Sequence, residues 1–442
     1  MNYREARQYL EDANKYGSVL GLDNIRELLR RLNNPENACK YVHIAGTNGK
    51  GSVLAYVSTV LTCAGYKVGR YISPTLFKYR ERIQVNEEYI TREALARLVT
   101  EIAGAIEGMT GEGRPHPTPF EIETALAFLY FKEMECDFVV LEVGLGGLED
   151  ATNVIQTTLV EVMTSISMDH MSFLGDTLAE IAENKAGIIK PGTVVVTDWQ
   201  QPDAMRVIEE KCRKENCTLR TAKRENAYGV TSGYEEQIFS YRCRERVYED
   251  MVIRLAGSYQ IENAIVALET VDALRDLGYE ISEEKIREGM MTTHWRGRFT
   301  ILQKDPIVVI DGAHNEDAAR TLRESLTMYF PEKRMHFIMG MFEDKECEKV
   351  IKRTASLADD IITIQTPGNP RALPAEELAE LVRKYNPKVE AMSSIRKAVR
   401  ESFQRAEKDD VIVAFGSLSF LGSVVRAVEA VEFVAGETVG AY

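Results

Sequence analysis

The segment Gly46-Thr-Asn-Gly-Lys-Gly-Ser52 constrains this chain more than any other. It follows an apolar run, Tyr41-Val-His-Ile-Ala45, that reads as a strand, and it opens a helical pattern from Ser52 to Ala64. A second strand pattern at Lys67–Ile72 completes a strand–helix–strand unit, which requires a parallel sheet. Glycines in such a loop let backbone N–H groups converge on phosphate oxygens, and the helix N-terminus adds partial positive charge. Lys50 is spaced to reach the terminal phosphates of a nucleotide, and the Ser52 hydroxyl to ligate Mg2+. Gly46, Thr47, Asn48, Gly49, Lys50, Gly51 and Ser52 are therefore the candidate nucleotide-binding residues. Gly51 stands between Lys50 and Ser52, so the loop is a variant of the common pattern.

The alternation of strands and helices continues. Pro119–Met134 reads as a helix, Asp137–Val143 as a buried strand, Leu159–Ser165 as a strand and Thr177–Asn184 as a helix. Ala227–Leu255 turns to short strands, and Tyr259–Leu277 is an amphipathic helix with Ile261, Ile265, Leu268 and Val271 on one face. A second α/β series starts near Phe299, with strands expected at Ile307–Asp311, Met335–Met339, Asp360–Gln365 and Val411–Phe415. A length of 442 residues, of which 45% are apolar, suits two or three domains of roughly 100–200 residues each. The expected architecture is a nucleotide-binding α/β domain with a mostly parallel sheet over residues 1–297, then a smaller Rossmann-like α/β domain over 298–442.

Composition excludes several functions. A net charge of −14 repels polyphosphate backbones, so nucleic acid is not an expected partner. No apolar run reaches the ~18 residues needed to span a bilayer, and the first residues, with both charge signs, do not resemble a signal peptide. The seven cysteines are scattered and odd in number, which fits reduced thiols in a cytoplasm.

Glu142 closes the buried run Phe138-Val-Val-Leu-Glu142. A carboxylate at the carboxyl edge of a parallel sheet needs a cationic partner, and Mg2+ bridging phosphates would supply one. Read alone, His170 is more often a surface or hydrogen-bonded histidine, and Lys185 a lysine at a helix end. Ser73, before Pro74, reads alone as a turn residue. Asp311 and Asn315 could cap the helix that follows them.

The phosphate-loop variant resembles that of the Mur ligase superfamily. The chain resembles more closely the folylpolyglutamate synthase and dihydrofolate synthase family. The resemblance rests on Asp169-His170, Leu174-Gly-Asp-Thr177, Glu180-Ile-Ala182 and Lys185-Ala-Gly-Ile188. It extends through Gly257-Ser-Tyr-Gln-Ile-Glu-Asn-Ala264, Trp295-Arg-Gly-Arg298, Asp311-Gly-Ala-His-Asn315, Pro370–Leu378 and Phe415-Gly-Ser-Leu418.

The resemblance implies an ATP-dependent ligase that activates a carboxylate as an acyl phosphate and joins it to L-glutamate. By resemblance, one Mg2+ is held by Ser52, Ser73 and Glu142, and a second by His170 and a carbamylated Lys185. Asn263, Arg298 and Asp311 serve ATP; Lys50, His170, Lys185 and His314 are the expected catalytic residues. Phe120, Glu121, Arg82, Asp150 and Ser417 are the expected substrate residues. The acceptor would be a folate or dihydropteroate, the domains would close over the acyl phosphate, and the chain would act as a monomer. Four positions depart from the family pattern: Tyr259 replaces a histidine, Leu148 an arginine, Glu149 a hydrophobe and Glu316 a proline. Two rivals remain: a Mur-type cell-wall ligase, and a non-catalytic nucleotide switch. A dehydrogenase would rest only on Gly144-Leu-Gly-Gly147.

Overall fold

The computed structural model describes residues 1–17, 19 and 21–439. Two compact units emerge. The first comprises Met1–Val230, Ile238–Ile253 and Ile261–Thr293; the second comprises Thr231–Gln237, Arg254–Gln260 and the chain from His294 onward.

The first unit is built on an eight-stranded sheet. In chain order its strands are β1 (Lys40–Ala45), β2 (Val68–Tyr71), β3 (Ile83–Val85), β4 (Glu88–Tyr89), β5 (Phe138–Glu142), β6 (Thr158–Met163), β7 (Val194–Thr197) and β8 (Thr218–Thr221). They lie in the order β4-β3-β2-β5-β1-β6-β7-β8. Six are mutually parallel, and β3 and β4 add an antiparallel edge beside β2. The central strands are rich in Val, Leu and Ile and buried on both faces, as a parallel sheet covered by helices demands. Ile44 pairs with Glu142 on one side and Val162 on the other, so the ends of β1, β5 and β6 share one edge. That edge is where ligands bind in open α/β sheets.

Helix starts are chemically specified. Pro119–Glu133 begins with Pro at its first turn and a reciprocal cap between Thr118 and Glu121. Leu178–Ala186 uses the same device with Thr177 and Glu180. The Thr and Glu of that sequence motif therefore set the start of the helix that ends beside Lys185. The 20-residue helix Arg92–Gly111 and the short strands β3 and β4 were not expected from the sequence. Strands of three and two residues are too short to show a period.

A small three-stranded sheet follows, made of β9 (Ala227–Ser232), β10 (Gln237–Cys243) and β11 (Arg246–Ile253) in the order β11-β10-β9. The second unit carries β12 (Thr300–Lys304), β13 (Ile307–Asp311), β14 (Met335–Met339), β15 (Asp360–Ile364), β16 (Val389–Met392) and β17 (Val411–Phe415). Their order is β12-β13-β17-β14-β15-β16, all parallel except β12 against β13. Among the described residues no helix is long and apolar enough to cross a membrane.

At the amino edge of this second sheet, His336 on β14 is buried between two carboxylates. Its Nδ1 lies 2.7 Å from Asp360 Oδ2 on β15, and its Nε2 3.2 Å from Asp410 Oδ2 beside β17. Arg405 and Arg334 stand on the outer sides of Asp360 and Asp410. The bond to Asp360 raises the His336 pKa, while His336 and Arg405 hold Asp360 below its ordinary range against the opposing effect of burial. The raised imidazolium stabilises the fold fully below the unfolded histidine value of about 6.5, and this is lost as pH rises through the folded value. The depressed carboxylate contributes above about 3.9 and loses its effect as pH falls through its folded value. We expect His336→Leu to cost about 3 kcal/mol near pH 6 by removing the buried cation that stands between two carboxylates. Thermal melts should show a smaller gap between the two proteins at pH 9; an equal gap at both pH values would contradict this.

Candidate active site

Four strand ends of the first sheet meet at its carboxyl edge. The loop after β1 is the phosphate loop, and the helix Lys50–Cys63 springs from it. Thr47 and Asn48 donate their backbone N–H groups to Ser165 O, just beyond β6, at 2.7 and 3.3 Å. The Thr47 hydroxyl donates to Ser167 O and accepts from Ser167 N, both at 3.0 Å. The loop is thus held by the strand end beside it.

Two glycines explain the sequence requirement. Gly46 has φ +149° and Gly49 +90°. A Cβ at Gly46 would run into the Thr164 side chain, and one at Gly49 would come within 2.5 Å of Asn263 Oδ1. Asn263, from the first turn of Gln260–Asp276, therefore stands directly against the phosphate loop. The glycine cradle fits a nucleotide phosphate chain, because glycines leave backbone N–H groups free to approach phosphate oxygens closely.

Lys50 Nζ donates to Gly46 O and Thr47 O at 3.2 and 3.3 Å, and lies 3.9 Å from Glu142 Oε1. Ser73, just past β2, gives its N–H to Glu142 Oε2 at 3.4 Å. Ser52 is buried in the first turn of its helix. These hydroxyl and carboxylate oxygens are the donor class Mg2+ prefers, with phosphate and water completing its shell. Among the described residues no three His, Cys, Asp or Glu side chains form a ready-made cage.

Lys185, at the end of its helix, is buried and donates Nζ to Gly46 O at 2.9 Å. Burial, then the charge of Lys50, pull its ammonium down to about 7, against the opposing pull of Asp169. An amine poised there is available in neutral form at physiological pH. His170 adopts a left-handed backbone, φ +52°, with Nε2 3.9 Å from Asp169 Oδ2.

A second group lies on the same unit. Phe120 and Tyr71 have ring centroids 6.0 Å apart. Arg82 Nη1 bonds Glu123 Oε2 at 3.0 Å in a largely buried pair. Asp150 Oδ2 accepts from Leu145 N at 2.8 Å, and its Oδ1 accepts from Thr152 N at 3.0 Å. Glu121, expected to meet substrate, has its carboxylate committed to the helix start, accepting from Thr118 N and Oγ1 at 2.7 and 2.9 Å. The sequence did not single out Glu123, Thr152 or Thr164, whose partners are distant in the chain.

The second unit gathers its own cluster at the carboxyl edge of its sheet. Asp311, ending β13, is buried and accepts from Phe299 N and Ala313 N, each at 2.7 Å. The Tyr259 hydroxyl donates to Asp311 Oδ2 at 3.1 Å, so the tyrosine that departs from the family pattern makes a polar link to this residue. Burial raises the Asp311 pKa, opposed by Arg298. His314 Nδ1 lies 2.8 Å from Gly312 O, and Asn315 caps the helix Glu316–Tyr329 through Ala318 N at 2.9 Å. Ser417, buried just past β17, accepts from Ser419 N at 3.2 Å.

Comparison with known proteins gives the class first. The Mur ligase middle domain family matches residues 44–271, and the Mur ligase glutamate ligase domain family matches 297–418. Together with the phosphate loop, these define an ATP-dependent ligase of the Mur type. The dihydrofolate synthase/folylpolyglutamate synthase of Bacillus subtilis (strain 168) is 37% identical over 365 residues, covering 81% of this chain and 84% of that protein. A Mycobacterium tuberculosis folylpolyglutamate synthase complexed with ADP and AMPPCP has a TM-score of 0.88 at 28% identity, over 97% of this chain and 99% of that one. E. coli FolC in complex with DHPP and ADP gives 0.86 at 29%, over 98% and 99%. The chain belongs to the folylpolyglutamate synthase and dihydrofolate synthase family within the Mur ligase superfamily.

Substituting Gly46→Ala should weaken ATP binding at least about tenfold, because the added methyl meets Thr164 and the backbone φ costs an L-residue about 1–2 kcal/mol. Calorimetric titration with a non-hydrolysable ATP analogue measures this; unchanged affinity would show that the close approach at Gly46 is not needed.

Proposed function

We propose that this chain joins L-glutamate to the carboxylate of a folate, a dihydropteroate, or both, by way of an acyl phosphate. The observation that supports it best is the carboxyl edge of the first sheet, where the glycine cradle, Lys50, Glu142, Ser73 and Lys185 converge. In this reading the loop Gly46–Ser52 and Asn263 hold ATP, and Lys50 neutralises its terminal phosphates. Ser52, Ser73 and Glu142 would hold one Mg2+, and His170 with Lys185 a second. Bound Mg2+ would draw charge from the phosphate oxygens during transfer. The neutral Lys185 amine can add to CO2 with release of a proton, giving the anionic carbamate that a cation site needs; its lowered pKa and burial support this.

The acceptor carboxylate attacks the γ-phosphorus, ADP leaves, and the amine of L-glutamate then displaces phosphate to form the amide. Asp150, Arg82 and Phe120 are assigned to the acceptor, with Glu121 supporting them through its helix cap. Arg298 and Asp311 are assigned to the nucleotide, and His314 and Ser417 to the amino acid. This gives residues 1–297 the phosphate loop and the acceptor, and residues 298–442 the glutamate together with Arg298 and Asp311 for the nucleotide. The dihydrofolate synthase activity named for the Bacillus subtilis relative favours dihydropteroate as one acceptor. Leu148 in place of an arginine bears on acceptor choice; the residue is 51% exposed while its backbone O is held by Asn153 at 3.0 Å. Seven free thiols support a reducing compartment such as the cytoplasm, and the net charge of −14 argues against nucleic acid. We read the chain as acting as a monomer.

The test is phosphate release from ATP with Mg2+ and L-glutamate, comparing no acceptor, dihydropteroate and a reduced folate, with product masses recorded. Release that depends on a pterin acceptor, with product heavier by one glutamyl unit, is expected. Release with neither acceptor would sink the folate reading, and a cell-wall precursor would be tried next. In the same assay Lys185→Arg, which cannot form the carbamate, should lower kcat by about a hundredfold. Wild-type kcat in that variant would remove Lys185 from the mechanism.

A further inference from the structure

We propose that His43 is a positioning residue for acceptor recognition: from inside the sheet it holds Thr152, and through Thr152 it fixes the Asp150 carboxylate. The proposal rests on the reading of Asp150 as an acceptor residue.

His43 is fully buried on β1, three residues before the phosphate loop, with Leu141 and Glu161 as its register neighbours. An apolar side chain would fill this place at less cost than an imidazole. Its Nε2 lies 2.8 Å from Thr152 Oγ1, on a residue 109 positions later in the chain. Thr152 Oγ1 in turn lies 2.5 Å from Asp150 Oδ1.

The directions of these bonds follow from the donors available. Burial raises the Asp150 pKa, but its Oδ1 already accepts from Thr152 N–H and its Oδ2 from Leu145 N–H, and a hydroxyl has one proton to give. Thr152 therefore donates to Asp150, and must accept from His43 Nε2–H. That fixes the tautomer, with Nδ1 bare; among the described residues Nδ1 has no hydrogen-bond partner. Burial, then the charge of Lys190, hold the imidazole down to about 3, so this tautomer persists at working pH. The remaining donors to Asp150, the backbone N–H groups of Gly144, Leu145 and Thr152, come from the loop itself. His43 alone of these groups sits on the strand that carries the phosphate loop. It ties the Asp150 carboxylate to the rigid element that carries the phosphate loop.

The experiment measures KM for acceptor and for ATP separately, with thermal melts, on the full chain. His43→Leu removes the donor at similar bulk, and Thr152→Val removes the hydroxyl at nearly constant shape. Each should raise the acceptor KM about tenfold while the ATP KM stays within about twofold. His43→Gln, whose amide nitrogen can donate near the Nε2 position, should return the acceptor KM to within about threefold of wild type. An unchanged acceptor KM in Thr152→Val overturns the proposal. So does a parallel rise in both KM values, or a glutamine variant no better than leucine. If His43→Leu fails to fold, Thr152→Val and His43→Gln carry the decision. Asp150→Asn separates the two layers. If it leaves the acceptor KM unchanged, the reading of Asp150 is wrong and the proposal falls with it. If it raises that KM while the His43 and Thr152 variants do not, only the proposal fails.

Discussion

The parallel pairing of β1 with β5 and β6 is the constraint on which the site depends. Its register sets Ile44 beside Glu142 and Val162, so three strands end together and their following residues share one edge. The phosphate loop, Glu142 and the Thr164–Ser165 turn are brought together from separate segments of the sequence. None could meet by local folding. Once the sheet forms, the helix Lys50–Cys63 has only one place to start, and its first turn points its N–H groups at the same edge.

That edge concentrates buried charge, and the charges control one another. Lys50 stands near Glu142 and contributes to depressing Lys185, after the larger effect of burial. A neutral amine beside a backbone carbonyl costs far less than a buried ammonium with no carboxylate in contact. The same logic operates below the edge. His43 stays neutral, and Asp150 is surrounded by donors. The second sheet uses its carboxyl edge similarly, with Asp311 among backbone donors, while its amino edge is closed by His336 between Asp360 and Asp410.

Much of the fold was legible in the sequence where the signal is local. Continuous apolar runs such as Ile307–Ile310 and Phe138–Leu141 are strands because both faces are covered, and the helix Glu316–Tyr329 starts where Asn315 can cap it. The phosphate loop was legible because glycine spacing and backbone conformation are one requirement. The edge strands β3, β4 and β12 were not, since short pairing at a sheet edge leaves little pattern. Glu121 shows the limit of motif reading: its place in the motif is clear, but in the folded chain its carboxylate is committed to the helix start.

The sequence by itself determined a nucleotide loop between a strand and a helix, two α/β series, and the ordered motifs that mark the family. These depend on residues a few positions apart. Only the tertiary structure decided what surrounds each ionisable group. Lys185 meets Gly46 O across 139 positions, and His43 meets Thr152 across 109. Protonation follows from desolvation and from the nearest charges, and those are properties of the packed chain.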